Sequence, residues 1–548
     1  MNNDFFKKSW RAIPLLVLFL IFTLQFIDNF FLARWNSVSI RSIDDFALQS
    51  SLRFMQRAIV SGNLGHVFGC FDYAYGNGFW LINSLLLLPL YFLGNEEFII
   101  VIGRQISLIF VFANLYLINL IIERIRPKEH LVKYAILIFV ATMPIVATLI
   151  VKFHVNPQCI FLGLLSFYLL IREKVLVRRT IVWSAVLAGM AVGFKLTAVT
   201  ILPLLGLTLL YRLRQQNLSL LRHSLLYTIL IAVTATFCTL PTIFAFPFYS
   251  KGVKNFFSSI MLFKDMNAFS GAESSFFDSF SNAISPYYMR VTTFIAILIL
   301  FATLLIANLR RIISALFHKA EGKDDGSIFI LFIFVTALAV IFALAMFVHK
   351  PSVWLSTYSM SIFLLWPIGL LGVTALPVAP WQKVAIVYFI LGFELISGYD
   401  VRRLEFGGPY IVRHDRATTL KLAAIEEVRP LVTPLTKPIS VLLDATAVFP
   451  LTQFDKGVET IYNYGNLDIF EKSAKFDFIA LSSKEYYPYN SLFGNPIPQF
   501  QHYTKINGLH GAELQSALRQ ILRNSGKFYG ESYDLIYDKN DLFVYAHK

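Results

Sequence analysis

From Ile13 to Ile396 the chain is a succession of apolar runs separated by short islands of charge. A helix that spans a bilayer needs about 20 apolar residues. Inside the hydrocarbon it must also satisfy its own backbone hydrogen bonds. The runs at 12–34, 97–122, 131–151, 156–171, 180–194, 196–211, 224–248, 291–309, 327–347, 357–375 and 383–397 meet or approach that length. They predict an α-helical polytopic membrane protein with about eleven spans, and about twelve or thirteen on looser boundaries. After Ser397 the composition becomes ordinary and polar. The chain therefore divides into a membrane region, 1–397, and a soluble region, 398–548. Overall it is 56% hydrophobic and 15% charged, against about 25% charged residues in soluble domains.

The charge islands set the sidedness. Lys7–Arg11, Arg124–Lys133, Arg172–Arg179, Arg212–Arg222 and Arg310–Lys323 are strongly basic, and basic loops stay in the cytoplasm. All five fall on one face if the segment 79–94, which contains Asn83 and Pro89, is re-entrant or interfacial; a full crossing reverses the parity. The re-entrant or interfacial reading is adopted. It puts the N-terminus inside. The loop 35–96, the junction Lys152–Gln158, the turn at Lys195, the loop Ser250–Arg290, the segment His349–Tyr358 and the C-terminal region are then outside. The stretch Ala12–Ala33 behind Lys7, Lys8 and Arg11 is too long for a signal peptide and has no small-residue cleavage site, so it reads as a retained first helix.

The net charge of +14 suits loops that meet anionic head groups. No basic–aromatic platform for nucleic acid accompanies it, so nucleic acid is not expected as a partner. Cys70, Cys159 and Cys238 are too widely spaced for a zinc site or a disulfide framework and read as packing residues. No phosphate-binding glycine loop and no HExxH helix occurs, which argues against ATP-driven chemistry.

Several polar residues stand out on the outward side. Asp44 and Asp45 open an expected amphipathic helix, 44–60, with Ser42 placed to cap it. Either they complement the helix dipole or one is a general base kept from bulk water. Lys152, His154, Asn156 and Gln158 crowd one junction between apolar runs. Polar groups at such depth usually face a cavity, and the alternative is an interfacial turn in which Pro157 begins the next helix. His154 alone is more often a hydrogen-bonded residue than a metal ligand. Lys195 divides two apolar half-runs. At the tip of a hairpin it can bind a phosphate as a point charge, or it simply snorkels to the interface. Arg104 has the guanidinium geometry that grips phosphate, and His349 and Lys350 add positive charge. This combination suggests an anionic, lipid-linked substrate and one base. No cofactor is implied, and a divalent metal has no support in the residue pattern.

In the C-terminal region 438–445, 477–483, 532–538 and 541–547 read as strands, Ala512–Arg523 as a helix, and Lys539-Asn540 as a hairpin turn. This is a small α/β pattern that covers the cavity, recruits an acceptor or caps the fold.

These motifs in this order resemble the polyprenyl-phosphate-sugar-dependent glycosyltransferases of the GT-C fold, in particular lipid A aminoarabinose transferases and protein O-mannosyltransferases. The resemblance covers about residues 1–215. It rests on Asp44 and Asp45, Ser61-Gly62, Tyr73 to Gly76, Phe79-Trp80 with Asn83, Phe92 and Gly94 ahead of Arg104, and Gly189 ahead of Lys195. It implies a GT-C-like membrane region in a bacterial inner membrane, with its active site and C-terminal domain on the periplasmic side. It also implies transfer of a sugar, with inversion, from a polyprenyl-phosphate donor to a hydroxyl of a glycolipid, glycan or protein. Asp44 would be the base, Arg104, Lys195 and Lys350 the phosphate-binding cations, and Asp45, Tyr73, Tyr75, His154, Asn156 and His349 cavity residues. Two departures matter. The family's helix-head aspartate falls on Asn156, which cannot act as a base, and Gly76-Asn77-Gly78 stands where aminoarabinose transferases carry Lys-Pro-Pro. The rival classes are a lipid-sugar flippase or other transporter and a lipid-linked oligosaccharide ligase.

Overall fold

In the computed structural model, the described residues are 16–29, parts of 52–67, 76–93, 96–150, 153–244, 288–317, 326–347 and 360–397. In the last third they are 423–432, 439–443, 458–462, 476–482, 526–539 and 542–548, and short gaps interrupt some of these stretches. The helices, labelled in chain order, are α1 (Leu16–Ile27), α2 (Asn77–Leu86), α3 (Leu88–Phe92), α4 (Glu96–Ile125), α5 (His130–Ala141), α6 (Pro144–Ile150), α7 (Asn156–Arg172), α8 (Arg178–Phe194), α9 (Leu202–Gln215), α10 (Leu220–Phe244), α11 (Val291–Ala307), α12 (Leu309–Phe317), α13 (Gly326–Phe347), α14 (Met360–Phe363) and α15 (Pro380–Ser397). Among the described residues three stretches are long and apolar enough to cross a membrane: Val101–Ile125, Leu196–Gln215 and Leu220–Thr239. Six shorter apolar helices accompany them among the described residues. These lengths and compositions are those of a helical integral membrane protein.

Three expected spans are interrupted. The run 131–151 breaks at Thr142-Met143 into α5 and α6. Pro144 has no N–H to donate and opens α6 instead, while Thr142 Oγ1 bonds back to Ile138 O at 2.8 Å. The run 196–211 begins as a 3-10 turn, Leu196–Ile201, before α9. The run 357–375 is the short α14 followed by a 3-10 stretch, Trp366–Ala375, with Pro367 at its head. There Gly372 lies so close to α11 that an added Cβ would sit 1.9 Å from Leu300 O. Close backbone packing has displaced regular α-helix.

Side-chain hydrogen bonds fix how the helices run. Arg124 Nε donates to Ile171 O at 2.7 Å. Arg212 Nη2 donates to the carbonyls of Glu173 and Lys174, and Leu176 N donates to Gln216 Oε1 at 3.0 Å. Arg126 Nη2 reaches Ser327 Oγ at 3.1 Å. The basic islands near residues 124, 172 and 212 and the start of α13 thus meet at one end of the bundle, the basic end. Because the far end of α9 returns to the start of α8, Lys195 is the tip of a helical hairpin.

The segment 79–94 lies between α1 and α4. Gln105 Nε2 donates to Phe26 O at 2.8 Å, and the rings of Phe22 and Phe112 meet at 4.8 Å. Helices α1 and α4 are therefore antiparallel: α1 runs from the basic end to the opposite end, where α4 begins. The chain between them starts and finishes at one end. Its helices α2 and α3, of 10 and 5 residues, rise only about 15 Å and 8 Å, against a hydrocarbon core of about 30 Å. Neither helix alone is long enough to cross, as the re-entrant or interfacial reading expects, and α2 with α3 is the re-entrant arm of that reading.

Helix α10 shows how the bundle meets lipid. Leu221, Leu225, Ile229, Val233 and Phe237, four residues apart, are exposed along one face. The other face packs against α8 through Gly189 and Gly193, where an added Cβ would lie 2.7 Å from Ile231 O and 2.6 Å from Cys238 Cβ, respectively. Small residues four apart let helix backbones approach within the membrane. Cys238 is a free thiol buried in this packing, and Cys159, on α7, is a second buried free thiol.

The strands β1 (Ile439–Leu443), β2 (Val458–Tyr462), β3 (Phe478–Ser482), β4 (Lys527–Phe528), β5 (Glu531–Lys539) and β6 (Leu542–His547) form one sheet in the order β2-β1-β3-β6-β5-β4. The first three are parallel, β6 is antiparallel to β3, and β5 and β6 are a hairpin with a register shift at Leu535/Tyr537. Four of these strands match the expected ones; β2 and β4 are additional. The expected helix Ala512–Arg523 and the turn residue Asn540 lie outside the described residues.

Candidate active site at the hairpin tip

Opposite the basic end, four elements meet around Lys195. Helix α8 ends at Phe194, and Lys195 itself is extended, with φ −151° and ψ 122°. Its Nζ donates to Asn156 Oδ1 at 2.9 Å. Asn156 is the first residue of α7. Just before it, His154 Nδ1 accepts from Asn156 N at 3.0 Å and so caps the helix. That bond puts the proton of a neutral imidazole on Nε2. His154 N in turn donates to Ser107 Oγ at 3.1 Å. Ser107 stands one turn after Arg104 on α4, and Arg104 is fully buried. Beside it, Phe153 presses on Gly103, where a Cβ would lie 2.8 Å from the ring. Asn114 Nδ2 extends the α4–α7 seam by donating to Pro157 O at 3.0 Å.

The re-entrant arm completes the site. Gly76 N donates to Phe194 O at 2.9 Å, one residue before the lysine. A Cβ at Gly76 would stand 1.7 Å from Gly193 O, so only glycine permits this approach. Further along α2, Asn83 and Gln158 form a reciprocal amide pair with bonds of 3.1 and 2.9 Å. Both are buried. Gln56 Nε2 donates to Ser84 O at 3.3 Å and attaches the preceding stretch.

Of the residues expected at the site, Lys195, Asn156 and His154 are joined by hydrogen bonds, and Arg104 is one helical turn from Ser107, which binds the same strand of backbone. Lys195 is half-buried, neither submerged in lipid nor laid out on the surface. Asn156 Oδ1 accepts from the ammonium, as a carboxylate in its place would, though without the carboxylate's charge and therefore more weakly. Asp44, Asp45, Tyr73, Tyr75, Lys152, His349 and Lys350 lie outside the described residues. Ser107, the Asn83–Gln158 pair and the Gly76–Phe194 bond were not anticipated. Ser107 lies three residues after Arg104, on its helix face, which is a signal the sequence offers. The amide partners are 75 positions apart, and no local pattern joins them. Among the described residues no group of three His, Cys, Asp or Glu side chains is assembled as a metal site.

No family model matches the chain, and no curated protein matches it. Solved structures similar to it include those of ArnT from Cupriavidus metallidurans. The form bound to undecaprenyl phosphate is 11% identical, with a TM-score of 0.49 over 98% of both chains. The apo form is 12% identical, with the same TM-score and coverage. That degree of likeness assigns no residue a role.

Proposed function

We propose that this chain is a membrane glycosyltransferase that moves a sugar from a polyprenyl-phosphate donor to an acceptor hydroxyl at the outer face of a bacterial inner membrane. The observation that carries the reading is Lys195, an ammonium held by Asn156 at a break between helices and flanked by a re-entrant arm. A donor of this kind has a lipid tail for the bundle and a phosphate for a compact cation. The basic end supports the orientation: arginine-rich ends favour the cytoplasmic side, and the hairpin tip lies at the opposite end of the bundle. The C-terminal region follows from the same side. Glu394, near the end of α15, accepts from Arg290 N and Thr293 Oγ1 at the start of α11. The far end of α11 leads through α12 to the basic end.

In this mechanism Asp44 takes the proton of the acceptor hydroxyl, whose oxygen attacks the anomeric carbon opposite the phosphate, so the configuration inverts. The bond from anomeric carbon to phosphate oxygen breaks, and polyprenyl phosphate leaves. Lys195 stabilises the charge that grows on the leaving phosphate. Arg104, fully buried one turn from Ser107 on α4, contributes positive potential, and Lys350 adds a further cation. The resemblance assigns Asp45, Tyr73, Tyr75 and His349, with His154 and Asn156, to the substrate cavity. The cations accelerate the step only by binding the transition state better than the ground state.

The test is a purified-protein assay with a labelled polyprenyl-phosphate sugar. Release of polyprenyl phosphate with the label on an acceptor hydroxyl is the expected result. Transbilayer movement of intact donor without bond cleavage would overturn the reading in favour of a transporter.

A further inference from the structure

The hydrogen bonds around the hairpin tip form a closed ring. It passes from Gly76 N to Phe194 O, along the chain to Lys195, across to Asn156, along α7 to Gln158, across to Asn83, and back along α2 to Gly76. Asn156 and Gln158 are two residues apart on one helix, so their side chains leave it on nearly opposite faces. The head of α7 is thereby clamped between the lysine on one side and the re-entrant arm on the other. Three further observations bear on the clamp. The amide pair is reciprocal, each partner donating once and accepting once. Asn83 Nδ2 also reaches Phe79 O within α2 at 2.8 Å. The pair lies in an apolar cluster containing Phe79, Trp80, Cys159 and Phe194, where an amide without its partner would be costly.

We propose that the Asn83–Gln158 amide pair is a positioning element for Lys195, fixing the depth and direction of the ammonium relative to the re-entrant arm so that it meets the donor phosphate. The inference rests on the glycosyltransferase reading for the identity of the ligand, though not for the ring itself. An apolar contact would hold α2 against α7 equally well. A reciprocal amide pair adds register, because it forms at one offset of the two helices only. A slide of α2 by one residue, about 1.5 Å, breaks both bonds and also pulls on Phe194 O beside the lysine.

The experiment compares wild type with Asn83→Leu/Gln158→Leu, which removes both partners together and leaves no orphaned amide, and with the swapped pair Asn83→Gln/Gln158→Asn. Each is measured for thermal unfolding in detergent, for equilibrium binding of polyprenyl phosphate, and for kcat and donor KM. The double-leucine protein should unfold within a few degrees of wild type, bind polyprenyl phosphate at least about tenfold more weakly and raise donor KM. The swapped pair should recover much of that binding. A double-leucine protein that binds and turns over donor like wild type overturns the positioning role. So does a loss of binding that merely tracks a loss of folded protein. Failure of wild type itself to bind polyprenyl phosphate would refute the donor assignment instead. The ring would still be tested by the reactivity of Lys195 toward an amine-acylating reagent, which should differ between wild type and the double-leucine protein and be restored by the swap. Equal reactivity in all three proteins overturns the proposal.

Discussion

The two ends of the bundle both place cations among buried groups, but they treat them differently. At the basic end Arg212 is fully buried and donates to the backbone carbonyls of Glu173 and Lys174, and Arg124 donates to Ile171 O. These carbonyls belong to the last turn of α7 and the loop after it, where helix carbonyls lack partners of their own and the helix dipole favours positive charge. The arginines therefore close loops. At the other end the helix has already stopped, Lys195 is extended, and its described acceptor is a side-chain amide carried by another element. A cation spent on helix carbonyls is a structural staple. A cation presented by side chains at the tip of a hairpin is the one we propose for the ligand.

The predictions separate these two roles. The largest effect belongs to the proposed base. Asp44→Asn should lower sugar transfer by about 10²–10⁴-fold while expression, membrane insertion and thermal unfolding stay as in wild type. Turnover near wild type would remove Asp44 from the mechanism. Next, Lys195→Met should reduce kcat/KM for donor by about 10²–10³-fold, the usual loss when one stabilising group at a developing charge is removed, and should weaken polyprenyl phosphate binding. Arg212→Met should do the reverse. Its loss leaves two carbonyls with a missing donor, which costs about 1–3 kcal/mol of stability and appears as a lower melting temperature. Activity per folded molecule should be unchanged. If Arg212→Met abolished activity without affecting folding, or Lys195→Met only lowered stability, the contrast between the two ends would collapse.

Much of this contrast was legible in the sequence because it is carried by local patterns. The apolar runs located the helices, and the charge islands at residues 124, 172 and 212 predicted a common face that the Arg124, Arg126 and Arg212 bonds display. Lys195 was readable as a hairpin tip because a helix carried through it would bury an ammonium. The breaks within 131–151 and 357–375 were missed although Pro144, Pro367 and Gly372 stood in view. Apolar content sets whether a segment stays in the membrane, and it is insensitive to whether the backbone there is α or 3-10. The Asn83–Gln158 pair was not legible at all. Each residue, read singly, is a polar blemish in an apolar run, and only the folded re-entrant arm makes them partners.

The smallest expected effect is also the most pointed, because it tests the lysine without removing it. Asn156→Asp keeps the shape of the side chain and the acceptor 2.9 Å from Lys195 Nζ, but converts an amide into a carboxylate. Opposite charges at that distance attract strongly where water is partly excluded, so the lysine should be held at least as firmly, and melting should be unchanged or slightly higher. A donor phosphate would then meet an ammonium already facing an anion. Polyprenyl phosphate affinity should fall by about tenfold, or ~1.4 kcal/mol, with the loss diminishing at acid pH as the new carboxylate is protonated. Unaltered affinity would mean that the phosphate is not bound by Lys195, and the tip would then be a staple like those at the basic end.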